Sequence, residues 1–159
     1  MWDLNAEGRL ILVVGFVVGE RQALMSNTSG MGGMPQIGRE LGRGAEGIVY
    51  EDLDQPGWVV EEFHQGGTSP LQARNEFQNL EKARAILPDN VVKAQAPADP
   101  RQGFFVKEQV IPDASTPADR AALMQIEQDF INSGVQDVGG NLMFGHTADN
   151  PAPRWMLIE

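Results

Sequence analysis

The chain has 159 residues, 42% of them hydrophobic, with no cysteine and a formal net charge of −10. That length suits one domain with a real core and is short for two. The absence of cysteine excludes disulfides and thiolate metal sites, and an acidic chain without a basic cluster repels nucleic acid on average.

Leu10 to Val18 is an apolar run interrupted by Gly15, too short to span a bilayer. Asp3 and Glu7 precede it and no small-residue cleavage site follows, so a buried strand or hairpin is expected rather than a signal peptide. Residues 26–35, rich in Ser, Gly and Met and ending in Pro35, read as a flexible linker. They divide an N-terminal entry and linker segment, 1–34, from a main domain, 35–159.

Residues Gly42-Arg43-Gly44-Ala45-Glu46-Gly47-Ile48-Val49 form a G-x-G-x-x-G-x-V pattern. A dinucleotide-binding loop of this kind opens a helix. Here the glycines run instead into Ile48-Val49-Tyr50, a turn at Asp54 to Gly57, and Trp58-Val59-Val60, which reads as strand, turn, strand, turn, strand. No Lys-Ser or Lys-Thr follows the glycines, which argues against a P-loop NTPase. An ordinary glycine-rich hairpin is the plain alternative.

Ser69 as cap and Pro70 at the first position begin a helix, with Ala73, Phe77, Leu80, Ala83 and Leu87 at helical spacing and Pro88 as its stop. Strands are expected around Val91-Val92 and over Phe104 to Ile111, joined by the polar loop 98–102. A second helix begins after Thr116 with Pro117, carries Ala121, Met124, Ile126, Phe130 and Ile131, and ends at Gly134. Short strands follow at Leu142 to Phe144 and Trp155 to Ile158. This order predicts an α+β fold with an antiparallel sheet. Trp58, Phe77 and Trp155 are expected in the core, and the acidic pairs Glu51-Asp52 and Glu61-Glu62 on solvated faces.

Taken together, these segments resemble the protein kinases. Leu41 to Tyr50 resembles the glycine-rich loop and Trp58 to Phe63 the third kinase strand. Glu76 with Leu80 matches the E-x-x-x-L of the αC helix, and Leu87 to Lys93 the approach to the fourth strand. Phe104 to Glu108 resembles the fifth strand running into the hinge. Val135 to Asn141 resembles the catalytic loop, and Trp155 to Glu159 the strand that ends in the metal-binding aspartate.

The resemblance spans residues 37–159. It implies a protein-kinase-like N-lobe, an antiparallel sheet plus one helix, with a minimal C-lobe. It implies nucleotide-binding roles for Gly42, Gly44, Gly47, Glu76 and Glu108, catalytic roles for Asp137 and Asn141, and a metal held by Asn141 and Glu159. ATP and magnesium are the cofactors if the chemistry is phosphotransfer.

The chain departs from the kinase pattern at its third strand, where Glu61 replaces the lysine that pairs phosphates with the αC glutamate. A carboxylate there repels a triphosphate unless a metal intervenes. No histidine precedes Asp137, the Asp137–Asn141 spacing is one residue short of D-x-x-x-x-N, and Glu159 stands in place of the aspartate.

Truncated kinase-like domains with a G-x-E-G-x-V-Y loop, as at Gly44 to Tyr50, resemble the C-terminal toxin tips of bacterial contact-dependent growth-inhibition effectors. That resemblance implies a domain exported within a larger surface effector, acting in the target-cell cytoplasm and neutralised by a cognate immunity protein. It leaves a phosphotransferase, a tRNA-cleaving RNase and a non-catalytic pseudokinase or immunity-type module as readings, with tRNA or a protein as substrate. An RNase needs a base, an acid and a cation. His64 with Glu61 is the candidate pair, Arg43 or Arg74 the cation, and His146, expected in the tail loop, the other histidine. A magnesium site could draw on Glu61, Asp137, Asn141 and Glu159, although Asp137 to Asn141 also suits a plain turn.

Overall fold

The computed structural model describes residues 3–4, 10–11, 35–45, 47–63, 69–96, 99 and 101–159. Two short strands, β1 (Asp3–Leu4) and β2 (Leu10–Ile11), pair antiparallel. The start of the Leu10–Val18 run is therefore a hairpin strand, as expected. Its remainder, the 26–34 linker and His64 lie outside the described residues.

Strands β3 (Ile37–Arg43), β4 (Gly47–Asp52) and β5 (Trp58–Phe63) follow as two antiparallel hairpins. They belong to a five-stranded sheet of order β3-β4-β5-β7-β6, in which β6 is Ala94–Gln95 and β7 is Phe104–Glu108. The alternation of a pleated strand sorts their side chains. Ile37, Ile48, Tyr50, Val60, Phe104 and Val106 form one buried cluster, with Trp58 packed against it, while Leu41, Val49 and Val59 form another. The β4–β5 turn needs Gly57, whose φ of 85° is open to glycine at little cost.

Helix α1 (Ser69–Ile86) buries Ala73, Leu80 and Ala83 of its predicted stripe, while Phe77 and Leu87 are only half-buried. Helix α2 (Pro117–Asn132) starts on a capping box. The Asp119 N–H donates to Thr116 Oγ1 at 3.1 Å and the Thr116 N–H to Asp119 Oδ2 at 2.8 Å. Gly134, at φ 83°, follows its end. The apolar positions of α2 are a correction, because Phe130 alone is buried and Met124 is 77% exposed.

Two expected strands shift. Pro88–Asn90 form a 3₁₀ turn rather than leading straight into a strand, as suits a residue without an N–H and with fixed φ. Val91 then makes an isolated parallel bridge to Leu157, and the strand proper is β6. The Phe104 to Ile111 run breaks after Glu108, and β8 (Ile111–Pro112) joins β9 (Leu142–His146) and β10 (Arg154–Leu157) in a separate three-stranded sheet. Gly145 permits that pairing, since a β-carbon there would collide with the Ile111 carbonyl. Trp155, half-buried, meets Phe144 edge-on at 5.3 Å and donates its indole N–H to Asp119 O at 2.8 Å.

The architecture is an antiparallel sheet with two helices, α+β as predicted. By internal contacts the chain forms two compact units, Met1–Asn75 with Gln95–Lys107, and Glu76–Ala94 with Glu108–Glu159. Among the described residues no helix is long and apolar enough to cross a membrane.

Candidate functional site

In the first unit the site begins at the glycine turn. Gly42 lies across from Val49 in the β3–β4 pair, and the Gly44 N–H donates to Gly47 O at 2.9 Å, closing the turn. At Gly47 a β-carbon would come within 2.7 Å of the Glu62 carbonyl oxygen and 3.3 Å of Phe63 Cα. That glycine is required by the approach of β5, whatever the loop binds. Arg43 is tied back to buried Glu40, Nε to Oε1 at 2.8 Å.

Glu61 lies across from Val49 in the β4–β5 register and shares its face with Val59 and Phe63, two residues away on either side. It is buried, against the expectation of a solvated acidic pair, and so is Asp52. The cause at Glu61 is a lysine on the neighbouring strand. Lys107 Nζ donates to Glu61 Oε2 at 2.6 Å, with the two side chains 3% and 7% exposed. Phe105, on the same face of β7, stacks against Phe63 with centroids 6.1 Å apart, and Lys107 Nζ stands 5.6 Å from the Phe105 ring centre. The carboxylate expected to repel a triphosphate is thus neutralised by a buried ammonium.

Asp52 keeps its carboxyl at the β4–β5 turn, where it accepts the Asp54 N–H at 2.9 Å and Gln55 Nε2 at 3.3 Å. Burial pushes its pKa up from the ordinary carboxylate value, and the hydrogen bonds from Asp54 and Gln55 offset part of that rise.

In the second unit, Asn79 of α1 clamps the loop that precedes Asp137. Its Nδ2 donates to Gln136 O at 2.8 Å and its Oδ1 accepts the Gln136 N–H at 2.9 Å. Lys82 Nζ donates to Gly134 O at 3.1 Å. Asp137 is exposed and sits at φ 55°, a left-handed conformation that Asp tolerates better than most residues. Asn141 Nδ2 donates to Asp137 O at 2.6 Å, and the Ile158 N–H donates to Asn141 O at 3.0 Å. The loop and the C-terminal strand end therefore bring Asp137, Asn141 and the residue before Glu159 together. Asn141 Oδ1 and the Glu159 carboxylate are hard oxygen donors of the kind magnesium takes.

Glu76 falls on the stripe of α1 that carries Ala73, Leu80 and Ala83, and it is half-buried. Glu108 is buried and joins two segments. Its Oε1 accepts the Lys93 N–H at 2.7 Å, and its own N–H donates to Lys93 O at 2.9 Å. His146 is a correction: it ends β9 rather than lying in a loop, and its Nδ1 is 2.6 Å from Asp113 Oδ2. Arg74 is exposed on α1.

The structure brings the three glycines and Glu61 together in one unit and Asp137 and Asn141 together in the other. Sequence reasoning missed Lys107 and Asn79. The signal for Lys107 was a charge directly after the apolar run Phe104-Phe105-Val106, since a lysine in a buried strand requires a partner. Asn79 left no signal, because its role depends on a loop 57 residues away.

No known protein family matches the chain, and no curated protein matches it by sequence. Among solved structures it is similar to the Rio2 kinase–ADP/Mg2+–phosphoaspartate complex from Chaetomium thermophilum, with a TM-score of 0.51 and 14% identity over 84% of this chain. The match covers 50% of that protein's chain. A likeness at this identity shows a kinase-like fold and nothing finer.

Proposed function

We propose that the chain binds a purine nucleotide through a kinase-type site, with phosphotransferase-type activity, and serves as the toxin domain of a bacterial contact-dependent inhibition effector. One observation carries the nucleotide proposal. An apolar strip of Leu41, Val49 and Val59 crosses three adjacent strands beside the glycine turn, on the same face as a buried ammonium. A purine offers flat apolar faces to such a strip, and its phosphates suit a turn whose backbone N–H groups carry no side chains. The strip is buried, so a base reaches it by displacing its cover, and the affinity is reduced by that cost.

Asp137, which is exposed, is the candidate base for a hydroxyl proton. Asn141 and Glu159 of the second unit would hold magnesium, an ion that their oxygens suit. Calorimetric titration with ATP and with adenosine tests the proposal: both bind, and heat of binding for neither overturns it.

The toxin role is supported by the resemblance of the Gly44 to Tyr50 loop. It implies export within a larger surface effector, action in the target-cell cytoplasm and a cognate immunity protein as partner. Cytoplasmic expression in a bacterium is expected to arrest growth, and the immunity protein to restore it. Unimpeded growth at full expression removes the toxin role. Arrest without nucleotide binding would instead favour the tRNA-cleaving alternative, for which the Asp113-held His146 supplies an oriented base.

A further inference from the structure

Asp137 is held by its backbone from both sides. The Gln136 carbonyl belongs to the peptide unit that enters Asp137, and Asn79 Nδ2 donates to it at 2.8 Å. The Gln136 N–H, which donates to Asn79 Oδ1 at 2.9 Å, fixes the unit before that. The Asp137 carbonyl belongs to the unit that leaves, and Asn141 Nδ2 donates to it at 2.6 Å. Because peptide units are planar, holding the two on either side of a residue sets its φ and ψ together. Asp137 is thereby kept at φ 55°, while its exposed carboxylate takes no part in these bonds.

The turn does not need Asn79 to close. The Asn141 N–H donates to Val138 O at 3.1 Å, and buried Val135 and Val138 anchor the segment. The bonds from α1 are additional, and they fall on the residue just before Asp137. One turn along the same face of α1, Lys82 Nζ donates to Gly134 O at 3.1 Å. A non-glycine residue in a left-handed conformation persists where its surroundings over-determine it, and such residues gather at functional sites. Here the over-determined residue is the candidate base.

We propose that Asn79 is a positioning residue for Asp137, setting the direction in which its carboxylate meets the hydroxyl of a phosphoryl acceptor. This assignment rests on the phosphotransferase reading above. With water as acceptor, the water oxygen bonds to the γ-phosphorus of ATP. The bond from that phosphorus to the bridging oxygen breaks, its electron pair stays on ADP, and the water proton passes to Asp137. Asn79 acts on this step only through Asp137.

The test follows ADP formation from ATP with magnesium in wild type, Asn79→Ala, Asp137→Asn and the double variant. Alanine suits a helix interior, so Asn79→Ala is expected to keep a cooperative thermal melt. Its kcat is expected to fall about tenfold or more with KM for ATP unchanged, as misplacement of a reacting group does. The Gln136 amide, deprived of its acceptor, is expected to exchange hydrogen faster. In the Asp137→Asn background, Asn79→Ala is expected to cost nothing further, because the two residues act as a unit.

A smaller fall in kcat, equal losses in both backgrounds, or unchanged exchange at Gln136 overturns the assignment and leaves the phosphotransferase reading intact. If Asn79→Ala does not fold, Asn79→Asp, which keeps an acceptor for the Gln136 N–H, is judged by the same fall in kcat and the same comparison of backgrounds. Full activity in Asp137→Asn removes the base and this assignment with it. Wild type that forms no ADP overturns the phosphotransferase reading as well.

Discussion

A methyl group on Gly47 would lie 2.7 Å from the Glu62 carbonyl oxygen, well inside van der Waals contact, with β5 backbone rather than a flexible side chain in the way. Gly47→Ala must therefore push β4 from β5, at about 1–3 kcal/mol. The melting temperature should fall by several degrees in the absence of any ligand, and an unchanged melt would show that the strands yield freely. The glycine turn between two strands was legible in the sequence, but this packing duty was not. Lys107 shows the same division more sharply. Its charge at the end of an apolar run was visible, whereas its partner lies 46 residues away and is selected by which strand lies beside β5.

At the scale of elements, α2 depends on its first turn. The Thr116 backbone N–H, and secondarily its hydroxyl, hold the Asp119 carboxyl below its ordinary pKa. A depressed folded-state pKa means that this stabilisation is present above the unfolded value and lost as pH falls through the folded one. Circular dichroism should accordingly show α2 fraying on acidification, and Asp119→Asn should flatten that acid dependence. Thr116→Ala should cost about 1 kcal/mol at neutral pH. Asp52 has the opposite sign. Its pKa is raised by burial, so its penalty is present above the folded value and relieved as pH falls. The Pro88 stop of α1 and the Thr116 cap and Gly134 end of α2 were readable locally. The exposure of Met124 was not, because helical periodicity identifies an apolar stripe without showing what covers it.

For the whole molecule, a net charge of −10 has a direct consequence for the tRNA-cleaving alternative. Without counterion release from a basic surface, non-specific RNA affinity should be weak. Fluorescence anisotropy with labelled tRNA at about 0.1 M salt should show no binding at low micromolar protein, where the electrostatic range is about 10 Å. Tight binding would favour the RNase reading instead. The α+β class was legible from element order, since three strands, a helix and further strands leave few ways to bury one face of each element, while the kinase likeness rested on the resemblance of its segments. Helix starts, turns and strand alternation are decided within a few residues of chain, and for those the sequence sufficed. Tertiary structure alone decided that Glu61 is neutralised by Lys107, that Asn79 holds the Asp137 loop and that Val91 bridges Leu157. Each of these joins residues far apart in sequence, and strand neighbours and register, not local propensity, bring them together.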